Sequence, residues 1–202
     1  MRAAKLFVSA LVTGTLLVLV ACGSDEGEGG GISPDDLPSV ILNSVEVPIG
    51  SPNTPTTQGD ENSRAYGVEY EVPFDDIAVG KIACVTVALA LYATTSGAED
   101  AFGSVISGIT ELIASNTPTH YFERVSTHLL GDESDTFKTT ADATVFCSEY
   151  SSVPTEAYTF YFRDADIIAK IDVYYLENGA DLLEAIRFAE LQLDKIEQRR
   201  GS

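Results

Sequence analysis

Positive charge is what this chain has least of. Only 12 Lys and Arg stand against 31 Asp and Glu, and no basic cluster exceeds the terminal pair Arg199-Arg200. DNA and RNA binders need a Lys/Arg surface that displaces counterions from phosphates, so nucleic acid is excluded as a partner. Anionic lipid head groups likewise repel each carboxylate within a Debye length, so charge does not hold this protein on a membrane. Histidine is scarce too, with only His120 and His128. A hydrolytic triad needs a base beside its nucleophile, and no G-x-S-x-G elbow occurs. The two histidines, with Glu123 between them, match no zinc spacing and read as surface residues. There is no G-x-x-x-x-G-K-S/T phosphate cradle. Asp132-Glu133-Ser134-Asp135 lacks the mid-loop glycine and closing glutamate of a calcium loop, and reads as an acidic turn. No metal and no cofactor is expected. Long apolar runs are missing as well, apart from Leu6 to Val20.

That run carries an address. Arg2 and Lys5 precede it as a positive n-region, and Leu19-Val20-Ala21-Cys22 closes it, which is the layout of a secretory signal. At about 15 residues it is shorter than the roughly 20 needed for a membrane-spanning helix. The four closing residues resemble the lipobox of bacterial lipoproteins. This resemblance implies that Cys22 receives a diacylglyceryl group on its thiol and that the Ala21-Cys22 bond is cleaved. Two or three acyl chains, at about 0.8 kcal/mol per buried CH₂, make an anchor that is permanent in practice. Loss of residues 1–21 leaves 10 basic against 31 acidic side chains.

Residues 22–36, beginning Cys22-Gly23-Ser24-Asp25-Glu26, are rich in glycine and acidic residues and read as a flexible tether, on the order of 20 Å long as a random coil. A folded domain is expected over residues 37–202, and at 45% hydrophobic content the chain is long enough to bury a core. Val40 to Val47 is a β-rich run between Pro38 and Pro48, and Gly50 to Ser63 reads as a surface loop. Tyr66, Val68, Tyr70 and Val72 alternate with Gly67, Glu69 and Glu71 as a half-buried strand. Ala83 to Tyr92 is a central strand, with Val85, Val87, Leu89 and Leu91 on one face and small residues on the other that invite a helix. Ser96-Gly97-Ala98-Glu99 reads as a capping box opening a helix over 97–115. Thr119 to Thr140 is less regular. Further strands are expected at Ala143 to Tyr150, Ala157 to Arg163 and Ile167 to Leu176, the last two joined by a turn at Asp164-Ala165-Asp166. Asn178 to Arg199 is a terminal helix with Leu182, Ile186, Ala189, Leu193 and Ile196 as its buried stripe. The order points to an α+β fold, a single domain in which an antiparallel sheet is packed by two amphipathic helices.

Cys84 and Cys147 are the two cysteines left for the domain. In an oxidising compartment an even pair reads as a disulfide, with two buried thiols as the alternative. Tyr158, Phe160, Phe162 and Tyr175 read as core, with the lining of a ligand cavity as the alternative. Asp36-Leu37-Pro38, Val47-Pro48-Ile49-Gly50, Leu130 to Ser134, Phe160-Tyr161-Phe162-Arg163 and the final helix resemble lipid-anchored α+β domains of bacterial envelopes. They are similar also to the extracellular sensor domain of bacterial receptor kinases, for which two disulfides are expected where this chain has cysteines for one. The resemblance implies a non-catalytic lipoprotein on the extracytoplasmic face of the cell membrane. Its partners would be the membrane, through the anchor, and a small apolar ligand or an envelope protein. An envelope hydrolase using acidic residues and a purely structural protein are the alternatives.

Overall fold

The computed structural model describes residues 31–60, 62–73, 82–114, 120–141, 153–176 and 179–201. Ile32 already lies in the core, and a 3-10 turn at Pro34–Asp36 leads into a one-turn helix α1 (Leu37–Val40). No strand forms over Val40 to Val47. Pro38 is tolerated in the first helical turn, where no amide partner is needed. Asn43 then captures the chain in a turn, its side-chain oxygen accepting from the Val45 amide at 2.9 Å while its carbonyl accepts from Val47.

Among the described residues eight strands follow, all paired antiparallel: β1 (Ser51–Pro52), β2 (Thr56–Gly59), β3 (Ser63–Glu71), β4 (Ile82–Tyr92), β5 (His120–Val125), β6 (Glu133–Ala141), β7 (Thr155–Asp164) and β8 (Ile167–Leu176). Their order is β1-β3-β4-β8-β7-β6-β5, with β2 also on β3. The segment expected as a loop over Gly50 to Ser63 thus contributes two short, wholly exposed strands. The stretch Thr119 to Thr140, irregular in its sequence pattern, holds β5 and most of β6. Neither strand has an apolar alternation, and cross-strand pairs tie them to their neighbours instead: Arg124 with Asp135, and Lys138 with Glu156 at 3.0 Å. The strand expected at Ala143 to Tyr150 lies outside the described residues.

Helix α2 (Thr95–Ala114) begins two residues before the expected start, because Thr94 is its cap. The Thr94 hydroxyl accepts from the Gly97 amide at 3.0 Å and the Thr94 carbonyl from the Ala98 amide, in place of the Ser96 capping box. Helix α3 (Leu182–Arg200) starts four residues later than expected, at the Asp181 side chain, which accepts from the Leu183 and Glu184 amides.

Alternation along β8 separates two layers. Ile167, Ala169, Ile171, Val173 and Tyr175 face α3 with Val85, Val87, Leu89, Phe160 and Phe162, forming the main core. Ile168 faces the other way and packs beneath Ala98 and Phe102 of α2. The sheet therefore carries one long helix on each face. The stripe of α3 that meets the sheet is Ala185, Phe188, Ala189, Gln192 and Ile196, rotated from the expected one. Leu182, Ile186 and Leu193 are half-buried at its margin.

The rotation has a cause in Gln192. Its amide is fully buried, donating to the Val40 carbonyl at 3.0 Å and accepting from the Leu42 amide at 3.0 Å. One helical turn on, Lys195 reaches the Ile41 carbonyl and Glu46, and Arg199 then reaches Asp36. One edge of α3 thus holds the amino-terminal segment, whose Leu37, Val40, Ile41, Leu42 and Val47 complete the core.

Candidate functional site

The α2 face of the sheet has two buried apolar clusters, Ile168 beneath Ala98 and Phe102 in the first half of the helix, and Cys84, Ala157 and Tyr174 farther along the strands. Ala98 and Phe102 are buried, while Val105, Ile106, Ile109, Leu112 and Ile113 in the second half remain half-buried. Beside Ile168, the register places a row Glu69, Thr86, Asp172, Thr159, Phe137 across β3, β4, β8, β7 and β6, and next to it a row Ala88, Lys170, Tyr161, Asp135. Two charged residues therefore sit at the centre of the sheet on its least solvated strand.

Asp172 is 3% exposed. Its carboxylate accepts from the Thr86 hydroxyl at 2.6 Å, from the Thr159 hydroxyl at 2.7 Å and from the Lys170 ammonium at 2.8 Å. A buried charge survives only when paired and hydrogen-bonded, and this arrangement meets both demands. Lys170 also lies over the Tyr161 ring at 5.8 Å and bonds to the Tyr161 phenol. Burial works against the Lys170 ammonium, but Asp172 and Tyr161 outweigh it and raise its pKa above the ordinary lysine range. Lys170 thus keeps its proton and has no lone pair to offer as base or nucleophile. Tyr174 on the same face is raised well above a free tyrosine by burial and then by Asp172, so it stays a phenol. Glu69, at the margin of the strip, is raised by burial, held down by the Asn53 side chain that donates to it at 2.7 Å, and raised again by Glu71.

The residues singled out in the sequence are scattered. Ala21, Cys22 and Cys147 lie outside the described residues. Cys84 is fully buried on β4 against Ala157 and Tyr174 and is disulfide-bonded, with its partner outside the described residues. His120 is on β5, whereas His128 is exposed, with its Nε2 3.2 Å from Glu190. Asp132 and Glu133 both bind Arg163, so the acidic turn clamps β6 to β7. Tyr158, Phe160, Phe162 and Tyr175 pack in the main core. Among the described residues no group of three His, Cys, Asp or Glu is placed to hold a metal ion. No described helix is long and apolar enough to cross a membrane.

Lys170 and Asp172 were not singled out. The signal was present in Ile167-Ile168-Ala169-Lys170-Ile171-Asp172-Val173, where opposite charges stand two apart on one face of an otherwise apolar strand. An open groove of about 420 Å³ at the mouth of the β5–β6 hairpin is lined by Thr127, Leu129, Ser134 and the paired Arg124 and Asp135.

No family model matches this chain, and no curated protein matches it. Among solved structures, LpqN of Mycobacterium tuberculosis, described as involved in cell envelope biogenesis, is 12% identical over 72% of this chain and 82% of its own, with a TM-score of 0.30. The extracellular domain of PknH from Mycobacterium tuberculosis is 13% identical, with a TM-score of 0.62 over 85% of this chain and 100% of that one. The chain is thus similar in fold to the extracellular domain of PknH.

Proposed function

We propose that this protein is a lipid-anchored envelope lipoprotein, held at Cys22 on the extracytoplasmic face of the cell membrane, whose domain binds without catalysis. Its ligand is a small, largely apolar molecule bearing a hydrogen-bonding group, taken up beside α2. The observation that carries the reading is the Lys170–Asp172 cluster. It is a preorganised set of opposite charges and hydroxyls that fix one another's positions, which suits recognition better than proton transfer. The half-buried apolar flank of α2 would meet the rest of the ligand. The lipobox and a fold shared with an extracellular domain support the location.

The hydrolase alternative has one observation in its favour. Glu69 is a half-buried carboxyl whose pKa partial burial raises, the direction that a general acid needs. Its neighbour Asp172 is fully engaged by three donors, which leaves Glu69 without a partner carboxylate in that row.

The test is native mass spectrometry of the full chain extracted from its own envelope, wild type beside Tyr161→Phe. A bound small molecule in the wild type, held at least tenfold more weakly in the variant, is the expected result. That factor matches loss of one hydrogen bond linked to a charge, about 1.5–3 kcal/mol. A wild type that carries no small molecule, or an equal load in both, overturns the reading.

A further inference from the structure

We propose that the exposed segment Ser51–Gly59 is an O-glycosylation site, with Thr54, Thr56 and Thr57 as the acceptor hydroxyls. Its sequence, Ser51-Pro52-Asn53-Thr54-Pro55-Thr56-Thr57-Gln58-Gly59, has the hydroxyl and proline density of sugar-bearing stalks. Every residue from Gly50 to Asp60 is exposed, so a transferase meets no burial at any of them.

The three hydroxyls also differ from other threonines of the domain. Those of Thr86, Thr94, Thr110, Thr127 and Thr159 are engaged in hydrogen bonds. Those of Thr54, Thr56 and Thr57 have no hydrogen-bond partner among the described residues. Prolines at 52 and 55 keep the backbone extended, the form in which a peptide enters a transferase groove. Thr56 stands opposite Gly67 with its hydroxyl close over that glycine, whereas Thr54 precedes the paired strand β2.

The position gives the modification a use. β1 and β2 pair with β3 at one margin of the sheet, and a sheet margin is a template for unwanted strand pairing. A neutral sugar on Thr54, Thr56 or Thr57 would cover it without adding charge. In the transfer step the threonine oxygen attacks the anomeric carbon of a sugar carried on a polyprenyl phosphate. The carbon–oxygen bond to phosphate breaks, its electron pair leaves with the phosphate, and the hydroxyl proton passes to a carboxylate of the transferase.

The inference rests on the exported location. The full chain is purified from its own envelope and digested after glutamate, which releases Val47 to Glu61 as one peptide. The expected result is that peptide carrying hexose mass increments, placed by electron-transfer fragmentation on Thr54, Thr56 or Thr57. A triple variant, Thr54→Ala with Thr56→Ala and Thr57→Ala, should lose the increments and keep its urea midpoint. A peptide found only unmodified in the wild type, or increments that persist in the triple variant, overturns the proposal. The Cys22 to Glu26 peptide of the same digest reads the acyl mass independently, so failure of the anchor and failure of glycosylation are told apart.

Discussion

Asp172 answers three donors from three strands, so its loss leaves the Lys170 ammonium buried without its counter-ion. Asp172→Ala should lower stability by about 3–5 kcal/mol, measured as a fall in the urea midpoint. A loss under about 1 kcal/mol would show that the pair is solvated in solution. Asp36 behaves differently because it lies half-buried at the surface. The Ser33 amide, the Ser33 hydroxyl and Arg199 lower its pKa from 3.8 to about 2. A carboxyl depressed by folding contributes stability that is complete above its unfolded pKa and is lost as pH falls through the folded value. That contribution is therefore present at neutral pH and disappears between about pH 4 and pH 2. Asp36→Asn should be less stable than wild type at pH 7 and converge on it near pH 2, as read by thermal melts across that range. Parallel curves would exclude the Ser33 and Arg199 contacts as its source. These charges are legible as letters but not as a site, because on β8 alone Lys170 and Asp172 look like a solvated face, and only the strands beside β8 bring Thr86 and Thr159 to them.

Between elements, stability depends on junctions that join distant parts of the chain. Gln192 on α3 satisfies the backbone of Val40 and Leu42 in the core, so Gln192→Leu strands one donor and one acceptor. Unsatisfied buried polar groups cost about 1–3 kcal/mol each, and the urea midpoint of that variant should fall accordingly with an unchanged slope. The β7–β8 turn holds Ala165 at a φ of 49°, a left-handed conformation that costs an L-residue about 1–2 kcal/mol. Part of that cost returns as glycine's greater freedom in the unfolded chain. Ala165→Gly should therefore raise stability by up to about 1 kcal/mol, and a destabilised variant would refute the strain. The turn tolerates alanine because its surroundings pin it. Asp132 accepts the Ala165 amide, and Arg200 binds Asp164 and Asp166 from the end of α3. β7, β8, α2 and most of α3 could be read from apolar periodicity, since each presents a continuous face to a core. β5 and β6 could not, because charge pairs and a neighbouring strand hold them in place of a local pattern.

For the molecule as a whole, acidic charge shapes what the domain can approach, and the proposed anchor supplies the membrane attachment that charge denies. Cys22→Ser should leave the chain without acyl mass and move it from the detergent phase to the aqueous phase on phase separation. A variant that is still acylated and begins at residue 22 would remove the lipobox reading. The linear order of residues by itself determined the antiparallel α+β class and the strongly acidic balance of the chain, since these depend on local alternation and on simple counts of charge. Only the folded chain decided that α2 and α3 take opposite faces, that β8 lies between β4 and β7, and that Thr86 meets Asp172 across 86 residues of sequence. Strand order is a choice among pairings separated by long loops, whose closure entropy varies only slowly with length, so no local pattern encodes it. A buried charge acquires its meaning from the neighbours that this choice brings to it.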